Sequence, residues 1–198
     1  MRTDRHRFLA RAILLILPLI FVVIARGDSE ETKFRWDIIS LDVTTGTVSA
    51  GGSASALAND SSKITLTGSG TFKPDDPEDV AGGGTWTTFD SSSQTTVSGT
   101  YEVKRLVKFD VAPGTFPAST DNIGNPLDFR AGLVFLRIRY LPDGQSGILV
   151  VSCHGAMTPN TVFEGITASK GYVDYFNRVA PVMGVNGNRS AFHVVPQA

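Results

Sequence analysis

The sequence predicts an all-β fold, a single antiparallel β-barrel or closed sandwich of about eight strands with one short helix. Three observations predict it. The first is a repeat. Gly70-Thr71-Phe72, Gly84-Thr85-Trp86 and Gly99-Thr100-Tyr101 set their rings 14 and 15 residues apart, one strand plus one turn, which is the period of an antiparallel meander. The second is composition: 41% hydrophobic and 19% charged residues with 20 Gly and only 3 Met describe a Ser/Thr/Gly-rich β protein rather than a disordered or coiled-coil chain. The third is apolar/polar alternation, because successive side chains of a strand point to opposite faces. In each repeat the Gly marks a tight bend, or a place where a ring from the next strand lies against bare backbone.

Taken in order, residues 34–43 (FRWDIISLDV) form a strand with broken alternation, so either a bulge shifts its register or both of its faces are covered. Residues 46–59 are small and polar, with Ala54, Ala56 and Ala58 alternating as in a strand pressed closely on a neighbour. Residues 62–72 alternate cleanly, with Ile64, Leu66 and Phe72 inward. An acidic loop over 73–83 and a strand over 85–90 follow. Residues 95–112 make the longest strand, whose inward face would hold Tyr101, Val103, Arg105, Val107 and Phe109. The fourth repeat, Gly114-Thr115-Phe116, is bracketed by Pro113 and Pro117, so 112–127 is the one long connection, of the kind that covers something. Residues 130–141 and 147–154 pair through Pro142-Asp143-Gly144, where Pro presets the first turn position and Gly takes the positive φ. Residues 161–169 and 189–195 are further strands. Tyr172, Tyr175, Phe176 and Val179 recur at helical spacing between Gly171 and Pro181 and predict the short helix.

Residues 1–27 are a separate object. Arg2, Arg5, Arg7 and Arg11 precede an apolar run of 13 residues over 12–24, short for a spanning helix and right for the core of a secretory signal. The expectation is a signal peptide, or an N-terminal anchor if uncleaved, followed by a single β domain over 28–198. The protein is then secreted or extracytoplasmic, in the periplasm or at the cell surface, and meets membrane only through the uncleaved segment. The leader holds five of the 18 basic groups and one of the 19 acids, which leaves 13 against 18 and a net charge near −5. Such a surface excludes nucleic acid as a partner. Cys153 is the one cysteine, so no internal disulfide forms.

The phrases FRWDIISLDV, ITLTGSGTF, GGGTWTTFD, LVVSCH and FEGITASKGYVDYFN resemble those of small uncharacterised secreted bacterial β proteins, over most of residues 34–195. The resemblance implies an exported bacterial β domain and carries no activity. The architecture is also similar to the eight-stranded barrels of the allene oxide cyclase and dirigent group, and no motif of that group transfers a site here.

The expected function is that of an exported barrel-like module binding a small apolar or anionic molecule. Its pocket would be the barrel mouth, lined by Trp86, Tyr101 and Arg105 and roofed by residues 113–127. Arg105 interrupts an apolar face, while Arg137 and Arg139 share a face with Leu133 and Phe135; a buried guanidinium must be paired, by Glu102, Asp128 or Asp174, or receive an anionic ligand head. His154 completes the set. Two alternatives stand beside this reading: a cell-envelope structural or interaction protein with a filled core, and a hydrolase or isomerase using His154, Glu164 and His193. Cys153 shares an apolar face with Leu149 and Val151 and reads as a buried structural thiol. The acids 75–79 lack calcium-loop spacing, Asn59-Asp60-Ser61 and Asn188-Arg189-Ser190 are glycosylation sequons, and no cofactor motif appears.

Overall fold

The structure is a computed structural model that describes residues 32–196. The expected signal or anchor lies outside the described residues. The strands are β1 Lys33–Asp42, β2 Thr47–Ala50, β3 Ala54–Leu57, β4 Lys63–Leu66, β5 Ser69–Lys73, β6 Asp76–Phe89, β7 Thr95–Ala112, β8 Thr120–Asp121, β9 Phe129–Leu141, β10 Ser146–Cys153, β11 Gly165–Lys170, β12 Val173–Tyr175, β13 Asn177–Arg178 and β14 Arg189–Val195. Six of them close an antiparallel barrel in the order β1–β5–β6–β7–β9–β14 and back to β1. The others lie outside this ring: β4, β3 and β13 continue from β6, while β10, β11 and β12 continue from β9. The all-β barrel expected from sequence is the fold, with six strands in the ring rather than about eight.

The ring interior is filled. Phe34, Phe72, Phe109 and Phe192 meet with centroid separations of 4.8 to 5.6 Å, and Trp36 and Ile38 are fully buried beside them. Strand β1 is covered on both faces, which explains its broken alternation: even positions fill the barrel, while Asp37 and Ile39 are buried on the other side. Beyond the ring, the ends of β6, β7 and β9 form a second curl around Trp86, Tyr140, Ile64, Leu149 and Ile166. Here β3 lies against β11, and fully buried Ala54 and Ala56 keep that approach close.

The Gly-Thr-aromatic repeat has a steric cause. Trp86 is in register with Gly99, and Trp36 with Gly70. A Cβ on Gly99 would sit 2.9 Å from the Trp86 indole nitrogen and 2.0 Å from the Leu141 carbonyl oxygen, so the ring occupies the place of a side chain. At Gly70 the corresponding separation from the Trp36 indole nitrogen is 2.8 Å.

Three local expectations are corrected. Residues 73–83 are not a loop: Pro74 and Asp75 make a tight turn and β6 starts at Asp76. Two of its acids are paired on the surface, Asp79 with Lys33 and Lys73, and Glu78 with Arg105. The helix expected over 172–179 is absent. Gly171, at φ +60°, turns the chain so that β12 pairs back on β11, and the rings spaced as on a helix instead separate into exposed Tyr172 and Phe176 and buried Tyr175. The one helical element among the described residues is a 3-10 turn over Pro126–Asp128.

The third correction concerns β7. Val103 pairs with Ile138 and Arg105 with Arg137, which leaves Lys104 as an extra residue; Leu106 pairs with Leu136 and Lys108 with Phe135, which leaves Val107 as a second. Each extra residue exchanges the faces of the strand beyond it. The inward positions are therefore Tyr101, Val103, Leu106 and Phe109, while Arg105 and Val107 face water.

Candidate functional site

A cavity of about 400 Å³ lies between the sheet and the 112–127 connection. Of its β1 and β14 lining residues, Ile39, Leu41, Arg189 and Ala191 alternate with the inward Trp36, Ile38 and Phe192, so it lies chiefly on the outer face of the ring, with Ser190 reaching it at the start of β14. The connection supplies Phe116, Pro117, Ala118 and Ser119, and β9 supplies Phe129. The connection is held down by rings and by a buried polar pair. Phe116 packs edge-on to Phe129 at 5.6 Å. His193 Nε2 lies 2.7 Å from Asp121 Oδ2, and the other oxygen of Asp121 accepts the main-chain N–H groups of Ile123 and Gly124.

The walls are mostly apolar, and their polar groups converge from β10, the β10–β11 connection and β14. Glu164 immediately precedes β11. Its Oε2 accepts the main-chain N–H of His154, and its Oε1 accepts that of Ser190. Burial pushes its carboxyl up to about 8, against the opposing pull of those two N–H groups and of the Arg189 charge. The His154 Nδ1 lies 2.7 Å from the Val162 carbonyl oxygen. A carbonyl only accepts, so Nδ1 carries the proton in this pair. Ser190 Oγ donates to the Ser152 carbonyl at 2.7 Å, fixing the start of β14 against the end of β10. Cys153, also on the wall, is buried, and burial together with the nearby Glu164 pushes its thiol up and blunts it.

The residues singled out in the sequence fall into three places. His154 and Glu164 come together on the cavity wall. Trp86 and Tyr101 are packed in the core: the Trp86 Nε1 donates to the Thr100 and Leu141 carbonyls, and the Tyr101 hydroxyl donates to the Thr67 carbonyl at 2.8 Å. Arg105 and Arg137 are register partners on the outer face and are exposed, as is Arg139, which corrects the expectation of a cationic spot inside a cup. Arg105 pairs with Glu78, not with the acids expected for it. His193 does not line the cavity. It is buried beneath the connection on Asp121. Of the acids 75–79, Glu78 and Asp79 pair with basic side chains, and among the described residues no group of three His, Cys, Asp or Glu is placed to hold a metal.

Replacing Arg105 by Met should therefore shift stability by no more than about 0.5 kcal/mol, the ordinary worth of an exposed ion pair. Urea denaturation checks it; a loss above ~2 kcal/mol would show that Arg105 supports the core.

The sequence did not single out Arg189 as a site residue. Its signal was the face it shares with Ala191 and His193 in an otherwise apolar last strand, opposite Ile39 of β1. Comparison of the chain with family models, with curated proteins and with solved structures gives no match.

Proposed function

We propose that the protein is an exported module that binds a small, largely apolar molecule in the cavity beneath the 112–127 connection. The observation that carries the reading is the cavity itself. Apolar walls converge on a few polar groups, Glu164, His154 and Arg189, in a volume within the range of small-molecule sites. The leader, with its basic residues and apolar run over 12–24, supports export.

The filled ring interior argues for binding on the outer face rather than in a barrel mouth. The hydrolase or isomerase reading keeps His154 and Glu164 on the wall, but main-chain donors engage both Glu164 oxygens and Asp121 holds His193.

Ala118 is half-buried on the roof, so Ala118→Phe should fill the cavity without disturbing the ring. In a thermal-shift screen of aliphatic and aromatic acids, alcohols and amines, a ligand raises the melting point of the native chain by mass action. The variant should keep its unliganded melting point and lose at least roughly tenfold in affinity. A screen in which no compound stabilises the native chain, or in which the variant responds as the native chain does, refutes the proposal.

A further inference from the structure

Among the described residues three buried side-chain nitrogens have no hydrogen-bond partner: Trp36 Nε1, His193 Nδ1 and Arg189 Nε. The first belongs to the ring interior and the second lies beneath the connection; of the three residues only Arg189 lines the cavity. No carboxylate among the described residues lies within ion-pair distance of its guanidinium. The acid that shares its wall, Glu164, already accepts from the main chain through both oxygens. A buried guanidinium donor without an acceptor is costly, and in folded proteins such groups are almost always satisfied. The Nε itself is closed to the cavity, so what a ligand there meets is the rest of the guanidinium, whose fork matches an anionic, planar carboxylate.

We propose that the cavity takes a monocarboxylate with an apolar body, its carboxylate accepting from Arg189 and its tail lying along Ile39, Leu41 and Phe116. The assignment rests on the binding function proposed above and names its ligand class. The charge on the wall agrees with it. With the Glu164 carboxyl raised to about 8, the acid is largely protonated at neutral pH and leaves Arg189 as the net charge beside the ligand head. The groups around Glu164 are Arg189 and the main chain of Ser190 from β14, Cys153 from β10 and His154 just beyond it. Above about pH 8 Glu164 ionises and places a like charge near the bound carboxylate, so affinity falls as pH rises.

Three probes with one tail and different heads test this on the full chain: octanoate, octan-1-ol and octylamine, titrated calorimetrically at about pH 6.5 and about pH 9.5. At the lower pH octanoate should bind at least roughly tenfold more tightly than octan-1-ol, with octylamine weakest. Octanoate should weaken by at least roughly tenfold at the higher pH, and that change should be absent in Glu164→Gln. Arg189→Met should bring octanoate down to the affinity of octan-1-ol while octan-1-ol itself is unchanged; Arg189→Gln serves if the Met variant does not fold. Octan-1-ol or octylamine binding as tightly as octanoate, or octanoate affinity surviving loss of Arg189, overturns the carboxylate assignment and leaves the cavity as a binding site. No binding of any probe, with native chain and Ala118→Phe alike, overturns the binding function and this assignment with it.

Discussion

Truncating Trp86 to Ala should lower stability by about 3–5 kcal/mol, the range for removing a fully buried large aromatic side chain. Trp86 is 1% exposed, packs edge-on to Tyr140 at 5.5 Å, and lies under the Lys170 ammonium at 4.4 Å. Its indole N–H also satisfies main-chain carbonyls of β7 and of the β9 end. The void left behind cannot refill from Gly99, which has no side chain to move. For a domain of this size the loss corresponds to a fall in melting temperature of roughly 6–20 °C. Ligand affinity at the cavity should be unchanged, because Trp86 is not among its lining residues. Calorimetric melting of the variant with and without octanoate reads both effects. A variant that melts like the native chain but loses ligand would place Trp86 in the binding site, against the geometry.

The second large effect is on pH. Unfolded, the Glu164 carboxyl titrates near its ordinary value of 4.5; folded, burial pushes it up to about 8. Below about 4.5 it is protonated in both states and stability carries no penalty from it. Between about 4.5 and 8 the folded state keeps a proton that the unfolded state has released, so raising the pH favours unfolding by up to ~1.4 kcal/mol per unit. Above about 8 both forms are ionised and the loss levels off. Over the window the native chain should lose roughly 3–5 kcal/mol that Glu164→Gln does not lose. The comparison is one of slopes. The amide of Gln opposes one of the two main-chain N–H donors, so the absolute stabilities differ for that reason alone. The carboxyls of Asp42, Asp60, Asp79, Glu102 and Asp143 are held below their usual range by hydrogen bonds or lysines, so they act on the acid side of this window. His154 and His193 are common to both chains and drop out of the difference. Parallel urea midpoints from about pH 5 to about pH 9 for the two proteins would contradict the buried, protonated carboxyl.

Much of the fold was legible because it rests on local rules. Alternation marks β4, Pro142-Asp143-Gly144 marks the β9–β10 turn with Gly144 at φ +73°, and the aromatic repeat marks where rings meet bare backbone. The faces of β7 were not legible in the same way. Strict alternation carries Arg105 inward, and the two extra residues that reverse it depend on the pairing with β9, which no window of β7 contains. Tyr172 and Tyr175 stand three apart, which puts them on one face of a helix but on opposite faces of a strand, and the turn at Gly171 decided for the strand. Of the site, the sequence identified His154 and Glu164 as chemistry-bearing residues and the 112–127 connection as a cover. It grouped His154 with Arg105, Tyr101, Trp86 and Arg137, because strands that adjoin in the barrel are far apart in the chain. Arg189 meets Glu164 only because β14 returns to lie beside β1, and β10 beyond it.

The first described strand closes the ring on the last: Lys33 lies opposite Val195 and Ile39 opposite Arg189. During synthesis β1 therefore waits through nearly the whole domain with an open edge, a long-range pairing of the kind that slows folding and leaves intermediates prone to join other chains. Arg189, Ser190 and Ala191 arrive with the closing strand. A nascent chain that lacks them has neither a sealed barrel nor a complete cavity wall, so the ring and the cavity are finished in one event.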